Sequence, residues 1–284
     1  MIGVLFDGLA YGALLFLVSV GLSVTMGLMN FVNLAHGAFA MAGGYVCAVA
    51  MTRWGVPFLA ALPLAFVATA LLGAILERTL YRRLYGASQL DQVLFSIGLT
   101  FVAIAAATWA FGAGQQPVRL PGFLRGQWTV AGTDFGVYRA FLLATVALVS
   151  GALALMVART RFGARLRAAV DDGIAARGLG IDVDRVFSVA FALGSGLAGL
   201  GGALGIEVLG LDASFPLKFM VYFLLVVVVG GAGSVKGPLV AALLLGVVDV
   251  AGKYYVPQAG AFGIYAAMVV LLVAFPHGLF GRRH

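Results

Sequence analysis

Cysteine is almost absent. Cys47 is the only one and it lies in an apolar run, so neither a disulfide framework nor a cysteine-based metal site can be built. Charge is scarce as well: 10% of the 284 residues are Asp, Glu, Lys or Arg, too few to cover a soluble domain. Histidine occurs only at His36, His277 and His284, without metal-ligand spacing, so no metal and no cofactor is expected. No G-x-x-x-x-G-K-S/T segment occurs, which excludes a Walker-type ATP site in these residues. The opening M-I-G-V-L-F-D-G has no basic n-region and no A-x-A cleavage site, so the first apolar segment is expected to be retained.

In place of charge there is hydrocarbon. The chain is 62% hydrophobic with 40 glycines and a mean hydropathy of +1.07, the composition of an integral membrane protein. We expect an all-α, polytopic helix bundle of about eight or nine spans at roughly 20 residues each. It forms one domain over residues 1–284, with no soluble module. The spans read as 2–29, 38–51, 57–76, 93–111, 140–158, 187–206, 219–231, an eighth carrying Asp249, and 263–275. A net charge of +7 admits nucleic acid as a partner. The basic residues fall in loops between spans, however, where they set orientation in a lipid bilayer instead, so no nucleic acid is expected.

The most charged stretch is the loop 159–186. It carries Arg159, Arg161, Arg165, Arg167, Arg177 and Arg185 with Asp171, Asp172, Asp182 and Asp184, and cannot sit in hydrocarbon. Its arginine excess places it on the cytoplasmic side. Leu166, Val170 and Ile174 recur at i, i+4, i+8 with Ala169 on the same face, so one short amphipathic helix is expected, closed by Gly178 and Gly180. Such a helix either docks a soluble partner or is a solvated connector that only fixes topology. The stretch 112–139 belongs outside. Its alternation around Ala131-Gly132 predicts a small β-hairpin, serving as a lid or as a contact for a binding protein.

Polar groups interrupt the apolar runs twice. Asn30, Asn33, His36 and Gly37 fall in G-L-M-N-F-V-N-L-A-H-G, while Gly233 and Ser234 fall in G-A-G-S-V-K-G-P, Gly231 to Pro238. Each is either a surface turn or a broken helix that exposes backbone beside a pathway. As a matched pair they are what an inverted repeat leaves behind. G-S-G-L-A-G at 194–199 matches a dinucleotide fingerprint in letters only. No strand precedes it, so with Gly201 and Gly205 it reads as close helix packing, as does the pair Gly8 and Gly12. Asp249 within a span is costly unless partnered, and Lys253 stands one turn on. Glu77, Arg78, Tyr81, Arg82, Arg83 and Tyr85 read as a short helix at the cytoplasmic interface. Arg282 and Arg283 put the C-terminal end inside, and counting back puts the N-terminus outside.

Several of these segments resemble one family. Residues 167–181, R-A-A-V-D-D-G-I-A-A-R-G-L-G-I, resemble the cytoplasmic coupling loop of branched-chain amino-acid permeases of bacterial ABC importers. The family pattern is R-A-x-x-x-D-x-x-x-A-x-x-x-G-I; Arg167, Ala168, Asp172, Ala176, Gly180 and Ile181 fall on it, with Asp171 alongside. N-x-x-N-L-A-H-G-A-F is similar to the family's N-F-A-H-G-E-F, with Leu34 for Phe and Ala38 for Glu. E-R-T-L-Y-R-R-L is similar to E-R-x-x-Y-R-P-L, with Arg83 for Pro, and this segment is a second candidate contact for an ATPase. G-G-A-G-S-V-K-G-P-L resembles G-G-x-G-S-x-x-G-A, with Pro238 for Ala, and the closing P-H-G-L-F-G resembles R-P-x-G-L-F-G, with Phe275 for Arg.

The resemblance implies the transmembrane permease subunit of an ABC importer in a bacterial inner membrane, moving branched-chain or other hydrophobic amino acids inward. It implies a second homologous permease, two cytoplasmic ABC ATPases acting on the 167–181 helix, and an extracytoplasmic solute-binding protein. No residue here would do covalent chemistry. Asn30, Asn33, His36, Gly37, Gly233 and Ser234 are candidates for the translocation path. Related members carry urea or short amides, which leaves the solute open. The residues alone also admit an ion-coupled secondary transporter, which needs more intramembrane acids than Asp249. They admit a non-transporting scaffold, which the packing glycines fit and the paired polar breaks do not.

Overall fold

A computed structural model describes residues 1–29, 31–118, 120–130, 132–231, 235–258, 260–275 and 278–280, apart from the side chains of residues 28, 29 and 261. Asn30, Ala131, Gly233, Ser234, His277, Arg282 and Arg283 lie outside the described residues. Eleven α-helices follow one another among those described: α1 (Ile2–Met29), α2 (His36–Arg53), α3 (Phe58–Thr79), α4 (Gln89–Phe111), α5 (Val137–Arg159), α6 (Arg161–Asp171), α7 (Gly173–Gly178), α8 (Val183–Leu209), α9 (Phe215–Gly230), α10 (Lys236–Tyr255) and α11 (Gly260–Ala274). Six of them, α1, α3, α4, α5, α8 and α10, are long and apolar enough to cross a membrane, and α9 and α11 are shorter apolar helices. The chain is therefore an all-α, multi-pass membrane bundle.

The expected hairpin is present. Strands β1 (Gln127–Val130) and β2 (Thr133–Gly136) pair antiparallel with Val130 opposite Thr133. Gly132 supplies the positive φ, +76°, that the turn demands.

Helices α1 and α8 form the centre: 78% of the residues in the apolar 18-residue stretch of each are buried, against 17% in α4 and 11% in α5. They cross where a Cβ on Gly21 would lie 2.3 Å from the Gly194 carbonyl oxygen. α10 packs on α1 through Gly8, Gly12 and Gly246. α3 packs on α8, with Gly196 against Phe66 and Ala70 and Gly199 against Thr69. α2 meets α8 most closely of all: a Cβ on Gly202 would fall 1.8 Å from the Ala40 carbonyl oxygen. Lipid tails are as apolar as leucine, so helices in a bilayer associate by close van der Waals contact rather than by expelling water. The glycines of 194–205 provide that contact, and the dinucleotide fingerprint is a packing seam.

Candidate functional site

The break between α1 and α2 turns back into the bundle rather than lying at its surface. Asn33 and His36 are 1% and 2% exposed. His36 Nε2 donates to the Val18 carbonyl at 2.8 Å, and Val18 lies well inside α1, so α2 begins beside the body of α1 and not beyond its end. Asn33 Oδ1 accepts from the Ala35 N–H at 3.1 Å and from Tyr81 Oη at 3.0 Å. The Leu34 N–H donates to Ser96 Oγ of α4 at 3.2 Å. Asn33 Nδ2 has no partner, which leaves polar donor capacity unused in a buried place.

A second turn of the same construction opens α9. Asp212 Oδ1 accepts from the Ser214 N–H at 2.8 Å, as Asn33 does from Ala35. The Phe215 N–H bonds the Asp212 carbonyl as the His36 N–H bonds that of Asn33, at 3.1 and 3.3 Å. The two helix starts touch: a Cβ on Gly37 would stand 3.1 Å from Pro216 Cα. The turn at 31–37 thus shares its construction with 210–216; the sequence pattern also pairs it with Gly231 to Pro238, of which residues 232–234 lie outside the described residues. Gly230 packs against the backbone of Gly237 and Pro238. The signal for the 210–216 turn was the Asp-Ala-Ser-Phe-Pro run, Asx-turn residues ahead of a proline at the helix start. Burial acts to raise the Asp212 carboxyl, but hydrogen bonds from Lys218 and Ser214 outweigh it and hold its pKa below the ordinary aspartate value.

The E-R-T-L-Y-R segment is not one separate short helix. Glu77 and Arg78 belong to the end of α3, and a single turn of tighter helix, Tyr81–Leu84, follows. Glu77 is fully buried. It accepts from Tyr85 Oη at 2.7 Å and from Ser188 Oγ of α8 at 2.6 Å, with Arg82 Nε at 3.4 Å. Tyr81 is fully buried too, its ring among Phe31, Phe95 and Phe191. The carboxylate and the tyrosine therefore tie α3 to α8 and to the Asn33 break, and neither is free to meet another protein.

The charged loop forms two helices where the sequence pattern predicts one. Asp172 separates them and caps the second, accepting from the Ile174 and Ala175 N–H groups at 2.9 Å each. Leu166 and Ala169 of α6, with Ala176 of α7, are buried against Val183, Val186 and Ala190 of α8 in a small core of their own. Ile174, expected on that face, lies past the break and is 85% exposed, and Leu179 is 82% exposed. Gly180 ends the unit at φ +79°, and the Ile181 N–H bonds the Ala176 carbonyl at 3.0 Å. Arg167 donates to the Val157 carbonyl at the end of α5, which fixes α6 to that span. Ala168 is half-buried, and Asp171 and Asp172 are exposed. Arg177 pairs with Asp184 at 3.0 Å on the surface.

A cavity of about 570 Å³ lies between α2, α3 and α4 and is walled by apolar side chains such as Phe39, Leu72 and Leu99. Tyr45 borders it, stacked on Phe111 at 4.4 Å, and its hydroxyl has no partner. Among the described residues no group of three metal-ligating side chains occurs.

The family model for the permease component of branched-chain amino acid transport systems matches residues 4–275. A high-affinity branched-chain amino acid transport permease, BraD of Pseudomonas aeruginosa, is 28% identical over 98% of this chain and 95% of its own. LivH of Escherichia coli, a permease of the same description, is 26% identical over 98% and 94%. The LivM permease of Salmonella typhimurium is 29% identical over 81% of this chain and 59% of its own. No solved structure matches.

Proposed function

The chain belongs to the family of branched-chain amino acid transport permease components, and from that membership we propose that it is the membrane-spanning subunit of an importer for branched-chain or other hydrophobic amino acids, powered by ATPases on separate chains. The observation that carries the mechanism is the capped helix pair α6–α7, anchored to α5 and α8 and offering Ile174 and Leu179 bare on a charged loop. Two bare apolar side chains on an element anchored to two spans support a protein contact there. An ATPase seated there would push on α6–α7. Arg167, Ala168 and Ala176 would pass the motion to α5 and α8, while Asp171, Asp172, Gly180 and Ile181 hold the shape of the contact.

Nine crossings fit the helix order, with α2, α9 and α11 joining the six longer spans. The N-terminus is then outside and the loop 159–186 inside. The matched turns at Asn33 and Asp212, with Gly37 meeting Pro216, support an inverted repeat of α1–α3 and α8–α10. The path would run by those helix starts, with His36, Asn33 and Gly37 on one side. Asn30, Gly233 and Ser234 keep a path role on sequence grounds. A second permease completes the pathway; likeness to both LivH-type and LivM-type permeases supports a pair of related chains. An extracytoplasmic protein would deliver the solute at a bacterial inner membrane.

Reconstitution in vesicles tests this. Leucine uptake is expected only with the ATPases and ATP, and Asp172→Arg is expected to preserve hydrolysis while uncoupling it from uptake. Uptake that persists without ATPases and follows a proton gradient overturns the reading.

A further inference from the structure

A further polar cluster lies where α1, α9, α10 and α11 meet. Asp249 sits in the body of α10, 1% exposed. One of its oxygens accepts from Lys253 Nζ at 2.6 Å, and the other, Oδ1, has no partner. The lysine ammonium stands 5.7 Å from the centre of the Tyr11 ring. The Tyr222 and Tyr265 rings are 6.2 Å apart, and Tyr11 and Tyr222 lie within electrostatic reach of Asp249. The cluster reaches the surface of the chain, since the Lys253 side chain is about half exposed and Tyr265 is also exposed.

A carboxylate held within a span is expensive, and intramembrane ionisable groups face other protein or a wet cavity rather than lipid. Here half of the acceptor is vacant and the neighbouring ammonium remains accessible. We propose that Asp249 and Lys253, walled by Tyr11, Tyr222 and Tyr265, are a station for the amino-acid zwitterion on the translocation path, at the seam with the second permease.

The chemistry matches at each end. Asp249 Oδ1 is sealed from solvent in this conformation, so it accepts from the α-ammonium as the helices part during transport, and the tyrosine rings favour the same cation by cation–π attraction. Lys253 donates to the α-carboxylate. No feature of the cluster reads the side chain, so the station accepts any α-amino acid whose apolar part suits the tyrosine wall. The α2–α3–α4 cavity offers only the Tyr45 hydroxyl to two opposite charges, and would leave a zwitterion unsatisfied. This assignment rests on the importer reading, and the experiment separates the two.

The complete transporter, with its ATPases and binding protein, is reconstituted in vesicles and leucine uptake is measured per ATP hydrolysed. Wild-type uptake that fails altogether refutes the importer reading. Given wild-type uptake, Asp249→Asn and Lys253→Gln are each expected to lower the ratio roughly tenfold or more, as loss of a hydrogen bond to a charged group does. The paired apolar variant Asp249→Leu with Lys253→Met decides against a structural role, because a merely structural buried pair tolerates such replacement. Uptake by that variant within about twofold of wild type overturns the station while leaving the importer standing. Should the variants fail to assemble, photo-leucine carried by the wild-type complex is expected to label peptides holding Tyr11, Tyr222 or Tyr265, and label confined to other segments overturns the assignment.

Discussion

Two acids, Asp172 and Glu77, do different work, and their substitutions separate. Asp172 is exposed, and its use is geometric: one oxygen satisfies two N–H groups that begin α7. Asp172→Asn keeps that oxygen, so it is expected to retain ATP-coupled uptake. Asp172→Ala removes the cap at a cost of about 1 kcal/mol, freeing Ile174 and Leu179 from a fixed posture, and is expected to lower uptake per ATP. Equal coupling in the two variants would show that the charge, or nothing at this position, matters. Glu77 is the opposite case. It is fully buried and receives hydrogen bonds from Tyr85 and Ser188. Glu77→Gln substitutes a donor for one acceptor and is expected to cost about 1–3 kcal/mol, read as a lowered unfolding temperature of the purified permease. Ser188→Ala removes a donor to the same carboxylate and should lower it as well. An unchanged melting temperature in both would mean that the α3–α8 tie is not stabilising.

Between helices, fit is set by the absence of a side chain. Gly202→Ala places a methyl 1.8 Å from the Ala40 carbonyl oxygen, and Gly43→Ala places one 2.2 Å from that of Gly199. Backbone cannot yield as a flexible side chain would, so both variants are expected to lose folded permease in detergent. Gly98→Ala meets nothing within 4 Å and gains helix propensity of about 1 kcal/mol, so it is expected to fold at least as well as wild type; size-exclusion recovery compares the three. This contrast also marks what the chain discloses before it is folded. Membrane class, the order of helices, the β-hairpin, the Asp249–Lys253 pair and the packing role of 194–199 follow from local composition and spacing, because hydrocarbon leaves a helix few alternatives. The likeness of the Asn33 and Asp212 turns could not be read. It depends on where α2 and α9 begin in space, and the letters around the two turns share little. Nor could the burial of Glu77 and Tyr81: three nearby arginines read as a wet interface, while the partners that bury these two, Ser188 and Phe191, lie over a hundred residues away. The split of the charged loop into α6 and α7 is hidden in the sequence because the period through Leu166, Val170 and Ile174 continues across Asp172, whose side chain ends one helix by beginning the next.

At the scale of the whole chain, the claim most open to direct test is topology. The coupling surface and the hairpin act on the proposed sides only if every intervening helix crosses. The six longer spans alone do not settle the sidedness of α2 and α9, which start inside the bundle. Cys47 is the sole cysteine and is fully buried, so Cys47→Ala gives a cysteine-free background with a small loss in the core. Into it, single cysteines are placed at exposed positions: Arg53 at the end of α2, Gly86 before α4, Gln127 on β1, Ile174 on α7 and Gln258 after α10. A maleimide that cannot cross the bilayer should label positions 53, 127 and 258 in spheroplasts, and positions 86 and 174 only in inverted vesicles. Each pair brackets a particular helix. Positions 127 and 174 are separated by α5, so labelling on one side removes α5 as a span. Positions 53 and 86 do the same for α3. Position 258 reports on α8, α9 and α10 together once 174 is fixed inside: an odd number of crossings puts it outside, and a non-crossing α9 would bring it in. Label reaching position 174 from the outside would turn the arginine-rich loop away from any cytoplasmic ATPase, and the coupling role assigned to α6 and α7 would have no partner to act through.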